Sequence, residues 1–119
     1  ATDGDEILYV GEYDSGRIWQ LDLVSGARKM IAEGLDRPEG LAVIQDGRVL
    51  VAETGTGRLL RIKPGTGEFD VIADNLAIGL PGGADMPAPF IPTGVAVDAD
   101  DNIYISADRD NALYKLSRK

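Results

Sequence analysis

The sequence predicts an all-β chain built from a repeated, four-stranded antiparallel unit, and three observations predict it. Short apolar runs (Ile7-Leu8-Tyr9-Val10, Val49-Leu50-Val51-Ala52 and Ile103-Tyr104-Ile105) are separated by clusters of Asp, Gly, Asn and Ser. That is the pattern of short strands joined by tight turns. No long stretch has helical spacing. The chain also repeats itself: residues 7–35 align without a gap with 48–76 at an offset of 41, and residues 38–63 align with 92–117 at an offset of 54. Val10, Glu12, Gly16, Arg17, Gly26, Ile31, Ala32 and Leu35 return as Val51, Glu53, Gly57, Arg58, Gly67, Ile72, Ala73 and Leu76. Pro38, Gly40, Ala42, Val43, Asp46 and Leu59 return as Pro92, Gly94, Ala96, Val97, Asp100 and Leu113. The two offsets differ by 13 residues, which is one insertion between Leu76 and Pro92.

The complete unit, 38–76, reads as strands A to D at about 40–44, 48–53, 57–63 and 68–73. Asp46-Gly47 makes the A–B hairpin, and Gly67 closes the C–D turn by tolerating positive φ. Gly16, Gly57 and Asn111 share one position before strand C, where a left-handed backbone is specified three times. Unit one (6–35) supplies B, C and D at about 6–12, 17–23 and 28–32. Unit three (92–117) supplies A, B and C at about 94–98, 102–106 and 112–117. A period of about 40 residues with four strands is the spacing of a β-propeller blade. Ten strands make about 2.5–3 blades, and a propeller closes with 4–8. The expectation is one partial-propeller domain over 1–119, with flat apolar faces left open at both ends.

Composition bounds the chemistry. Twenty acidic against twelve basic residues give a net charge of -8, which argues against nucleic acid or an anionic membrane surface as partner. With no Cys and no His, thiolate nucleophiles, Ser-His-Asp triads and His- or Cys-ligated zinc are excluded. No apolar run approaches the roughly 20 residues that cross a bilayer. Ser15, Ser25, Ser106 and Ser117 lie in no nucleophile elbow, and Gly55-Thr56-Gly57 and Gly82-Gly83 lack the Lys of a phosphate loop. The chain opens Ala1-Thr2-Asp3 without Met or a charged apolar leader. It reads as a mature chain after leader removal or as a piece of something longer, and a secreted or periplasmic setting is expected over a cytoplasmic one.

Pro38-Glu39-Gly40-Leu41-Ala42-Val43, followed by Arg48-Val49-Leu50-Val51-Ala52-Glu53-Thr54 and Gly57-Arg58-Leu59-Leu60-Arg61-Ile62, resembles the NHL repeat. So does Pro92-Thr93-Gly94-Val95-Ala96-Val97-Asp98 with Asp101-Asn102-Ile103-Tyr104-Ile105-Ser106-Ala107-Asp108. The pattern is similar to that of the six-bladed superfamily holding gluconolactonase-like and strictosidine-synthase-like proteins. The resemblance implies about half of a six-bladed propeller. It constrains activity weakly, because such propellers include binding modules, lactonases, esterase-like enzymes and lyases.

Alternating strands put the D–A and B–C connections (34–39, 53–57, 74–93 and 107–111) on one rim, with the insertion 77–91. Glu39, Thr93, Glu53, Asp108, Met86 and Phe90 are therefore the candidate rim-lining residues. The insertion reads either as a ligand lid or as a loop covering a blade edge or a subunit contact. Glu39 opens strand A, where gluconolactonase-like propellers carry calcium ligands in some blades, so the resemblance makes it a candidate Ca2+ ligand. The matching position in unit three is Thr93. Glu12 and Glu53 repeat at the end of strand B, and Arg17 and Arg58 repeat beside them. Repetition favours carboxylates that accept loop amides and pair with those arginines. Trp19 aligns with Leu60 and Tyr114 and reads as a blade-packing residue. Asp98-Ala99-Asp100-Asp101-Asn102 reads as an A–B hairpin, since Ile103 and Arg109 stand where a calcium-binding EF-hand loop needs Gly and Glu.

The leading functional expectation is a non-enzymatic propeller segment that self-assembles and binds a protein or small ligand on its loop-bearing rim. The alternatives are a calcium-dependent lactonase, esterase or lyase, and a purely structural half-propeller or excised fragment. The expected partner is a second copy, since two three-unit chains related by a two-fold axis complete a six-bladed ring, with the joint blades either thinner or completed by a partial strand from residues 1–6.

Overall fold

The computed structural model of the chain describes residues 2–3, 6–76, 78, 94–107 and 112–117. Among these residues there is no helix, and eleven strands form three antiparallel sheets that are not closed into a ring. The first sheet is β1 (Thr2–Asp3), β2 (Ile7–Glu12), β3 (Arg17–Asp22) and β4 (Arg28–Ala32), hydrogen-bonded in that order. The second is β5 (Pro38–Val43), β6 (Val49–Glu53), β7 (Arg58–Ile62) and β8 (Phe69–Ala73), also in chain order. The third is β9 (Val95–Val97), β10 (Ile103–Ala107) and β11 (Ala112–Leu116). Three sheets of this size and order are what propeller blades look like.

Unit one, read as B, C and D with a partial strand as the alternative for residues 1–6, has that short strand: β1 pairs Thr2 with Leu8 and Asp3 with Ile7. Two residues joined by backbone hydrogen bonds carry no apolar alternation, so the sequence pattern does not give this strand its bounds.

Turn chemistry explains where the strands stop. Gly16 and Gly57, both at φ 72°, end the turns that lead into β3 and β7, as the repeat requires. A Cβ on Gly16 would also stand 2.1 Å from the Leu35 carbonyl oxygen, and one on Gly57 2.9 Å from that of Leu76. Each glycine therefore serves twice, once for its left-handed backbone and once for the close passage of the next link. Asn111, the third member of the set, lies outside the described residues.

The strand period of two places the core. β6 is buried at every residue, and its side chains alternate between two clusters. Val49 and Val51, with Leu60 and Ile62 of β7, pack against Tyr9, Ile18 and Ile31 of the first sheet. Leu50 and Ala52, with Leu59, pack against Ile105 and its neighbours Ile103, Tyr114 and Leu116 of the third. The continuous apolar run Val49-Leu50-Val51-Ala52 thus belongs to a strand covered on both faces. Each fully buried Leu or Ile contributes on the order of 1.5–3 kcal/mol.

Candidate functional site

Because neighbouring strands run antiparallel, the start of β5, the end of β6, the start of β7 and the end of β8 meet at one rim. There the link 34–37 is laced to the β6–β7 turn. The Thr54 amide and hydroxyl both donate to the Arg37 carbonyl, at 3.0 and 2.8 Å, and the Gly55 amide donates to that of Asp36 at 3.0 Å. Arg37 sits at φ 54°, a left-handed geometry that these bonds hold in place. The link after β8 is tied in the same way, with the Leu76 amide donating to the Gly57 carbonyl at 2.9 Å. Ile78, 1% exposed, is anchored between the second and third sheets.

Glu53 ends β6 and is 1% exposed. Its Oε2 accepts the Asp36 amide at 2.9 Å. Its Oε1 accepts the Thr56 hydroxyl at 2.5 Å and the Arg58 Nε–H at 2.7 Å, with Arg58 Nη2 at 2.6 Å. Burial alone would push this carboxyl up. The hydrogen bonds from Thr56, the Asp36 amide and Arg58, with the Arg58 charge, outweigh it, and the net shift is downward. The group is an ionised brace joining link, turn and strand.

The repeat of Glu53 in the first sheet is built differently. Glu12 accepts the Trp19 Nε1–H and, at 3.0 Å, the Ser15 hydroxyl. Those two bonds, Trp19 first, hold it below the ordinary carboxylate range. Arg17 acts on Glu12 only through charge, so the pairing expected for both arginines is realised at Arg58. Trp19 also lies under the Arg28 guanidinium, 5.8 Å from the ring centroid.

At the opposite rim the predicted β9–β10 hairpin is present. The Asp98 carboxylate is held low first by the Asn102 side chain and amide, then by the Asp100 amide and the Tyr104 hydroxyl. Gln45, in the β5–β6 turn, reaches this hairpin and donates to the Ala99 carbonyl.

Of the residues singled out as rim-lining, Glu39 is half-buried in β5, inside an irregularity where pairing steps from Pro38–Glu53 to Leu41–Val51. Thr93, Asp108, Met86 and Phe90 lie outside the described residues, as does the insertion 77–91 apart from Ile78. Among the described residues, no group of three or more acidic side chains is placed to hold a metal ion. Sequence reasoning missed Thr54, only 5% exposed, and Gln45. Thr54 aligns with Tyr13 at the offset of 41, so no repetition marks it.

Three successive antiparallel sheets, packed face to face and tied through a common rim, define a β-propeller-like protein. The family model of the NHL repeat matches residues 35–62, the stretch from the link before β5 to the end of β7, which supports the NHL β-propeller family for this chain. Comparison with curated proteins finds no match.

Proposed function

We propose that the chain is a non-enzymatic half-propeller that pairs with a second copy to complete a six-sheet ring, and that the ring offers its loop-bearing rim to a protein or small ligand. The observation that carries this reading is the outer face of the first sheet. By the offset of 41, Val10, Trp19 and Leu21 stand where Val51, Leu60 and Ile62 of the second sheet take up the first sheet's Tyr9, Ile18 and Ile31. By the offset of 54, Tyr104 and Leu113 of the third sheet stand where Leu50 and Leu59 of the second are covered.

The two outer faces are thus the two halves of a joint the chain already makes twice. Val10 and Met30 are each 38% exposed and Leu113 is 68% exposed, which is apolar surface a second copy would remove from water. A two-fold axis satisfies both joints at once. Support for the rim as the binding face comes from Ile78, which fixes the start of the insertion, and from the hydrogen-bonded lacing of the adjoining turns.

Light scattering tests the assembly. Particles of twice 12.7 kDa are expected, dissociating on dilution. Val10→Asp combined with Met30→Asp is expected to yield monomer while the β-sheet circular dichroism persists. A folded monomer at every concentration would refute the proposal.

A further inference from the structure

The repeat puts its fourth strand at the outer edge of each complete sheet, and there the first two sheets differ. β4 and β8 are each the last of four paired strands, with no strand beyond them among the described residues. The chain runs on from β8 toward the third sheet, so this edge belongs to a complete repeat. By the offset of 41, Arg28-Lys29-Met30-Ile31-Ala32 of β4 becomes Phe69-Asp70-Val71-Ile72-Ala73 of β8. Both strands expose their first three residues. β4 gives two of those places to Arg and Lys, the kind of side chain that guards an edge against pairing. β8 has no such guard: Phe69 is 51% and Val71 42% exposed, and both residue types favour strands.

We infer that the outer edge of β8 takes up an extended segment of another polypeptide, alternately apolar and basic, as a fifth, antiparallel strand. The ladder sets the register. The Lys63 amide donates to the Glu68 carbonyl at 2.9 Å, and Arg61 pairs with Asp70 two residues further on. Glu68 and Asp70 therefore turn their main-chain groups inward to β7, while Phe69 and Val71 turn theirs outward. Pairing shifts beyond Val71, where Leu59 meets Ala73 and Ile72 is the extra residue. That irregularity limits the straight edge to 68–71.

An incoming strand hydrogen-bonds at Phe69 and Val71 and sets apolar side chains beside theirs. Its residues opposite Glu68 and Asp70 fall in the non-hydrogen-bonded pairs, where side chains of neighbouring strands come closest. Basic side chains fit there. Glu68 is exposed, and the Asp70 side chain, although paired with Arg61, is still 56% exposed. Around the strand, Glu68, Asp70 and Asp74 outnumber Arg61 and Lys63. Backbone hydrogen bonds along the edge supply affinity, and the alternating side chains supply selectivity. The joint between two copies uses the outer faces of the first and third sheets, so this edge of the second sheet does not depend on it.

The test is fluorescence anisotropy of the full chain with a labelled peptide Thr-Val-Lys-Val-Lys-Thr, which sets its two Val beside Val71 and Phe69 and its first Lys opposite Asp70. Saturable binding is expected. N-methylation of the two Val, which leaves the peptide's charge unchanged, is expected to abolish it by removing the donors to the edge. Val71→Pro removes an outward N–H, a change that edge strands accept; it is expected to abolish binding while the β-sheet circular dichroism persists. Asp70→Asn is expected to weaken binding roughly two- to fivefold, as for one cross-strand charge pair. It should make no difference to a peptide with Gln in place of the first Lys. Solution mass, measured in parallel, reports ring closure separately. No saturable binding up to about 1 mM peptide, undiminished binding by a folded Val71→Pro chain, or binding indifferent to either the N-methylation or Asp70→Asn would overturn the inference.

Discussion

Val51 and Val10 are the same position of one repeat, and so are Leu59 and Leu113, yet their surroundings differ completely. Val51 and Leu59 are fully buried in the second sheet, whereas Val10 is 38% and Leu113 68% exposed on the outer sheets. Strand pattern is alike in each pair, and Gly16 and Gly57 match in the first pair as well, so local sequence is not the main source of the difference. The middle sheet has a neighbour on each face and each outer sheet has one. A repeat of this kind therefore specifies a sheet with two apolar faces, and the number of neighbours decides how much each face contributes.

The comparison is sharpest at the leucines. Leu59→Ala is expected to destabilise the chain by about 2–5 kcal/mol, since it opens a cavity between two packed sheets. Leu113→Ala, at the equivalent place, is expected to cost less than about 0.5 kcal/mol in dilute solution. Urea unfolding of both variants measures the contrast. Repeating it at high concentration sharpens the result, because a second copy on the outer faces would make the Leu113→Ala cost rise with concentration while that of Leu59→Ala changes little.

The paired glycines break the comparison. Gly16→Ala and Gly57→Ala both force a side chain into the left-handed region, at about 1–2 kcal/mol each. The Gly16 Cβ would collide with the Leu35 carbonyl at 2.1 Å, against 2.9 Å from Leu76 for Gly57. The outer-sheet variant is therefore expected to lose more stability than the middle-sheet one, the reverse of the leucine order. Equal melting temperatures for the two variants would sink this reading of the contacts.

The same pairs show what the sequence exposes to reading. The short apolar runs of β2, β6 and β10 and the spacing of Gly16, Gly57 and Gly67 fix strands and turns, because each depends on residues close in sequence. The role of Glu53 is visible as well, since Arg58 lies across the same turn. Glu12 departs from it for a physical reason. Glu53 is completed by the Asp36 amide, from the link arriving out of the preceding sheet, and no preceding sheet stands before the first among the described residues. Glu12 stays half-buried and takes the Trp19 indole instead. The lacing of Thr54 to Arg37 left no trace, because it joins a side chain without a repeat to a carbonyl any residue would supply. β1 was legible only as an optional partial strand within residues 1–6, because backbone pairing without a side-chain pattern sets no bounds in sequence.

The smallest effect expected is on acid stability, and it separates the two glutamates. Glu53 is held below its ordinary value of 4.5 in the folded chain, so it binds a proton less readily there than when unfolded. Its contribution is therefore complete above about pH 4.5 and is lost as pH falls through the lower, folded value. Glu12 is shifted in the same direction, but it sits on the outer sheet in reach of solvent, where salt screens its charge. The melting temperature should be nearly flat from neutral pH to about pH 5 and then fall. In Glu53→Gln the fall should be shallower, because the group that must be protonated is gone, although the variant starts lower for want of the Arg58 ion pair. In Glu12→Gln the profile should follow the parent closely, the more so in molar salt. Parallel thermal melts at pH 3–7 for the three chains decide it. A profile unchanged by Glu53→Gln would mean that the buried brace is not what acid dissolves.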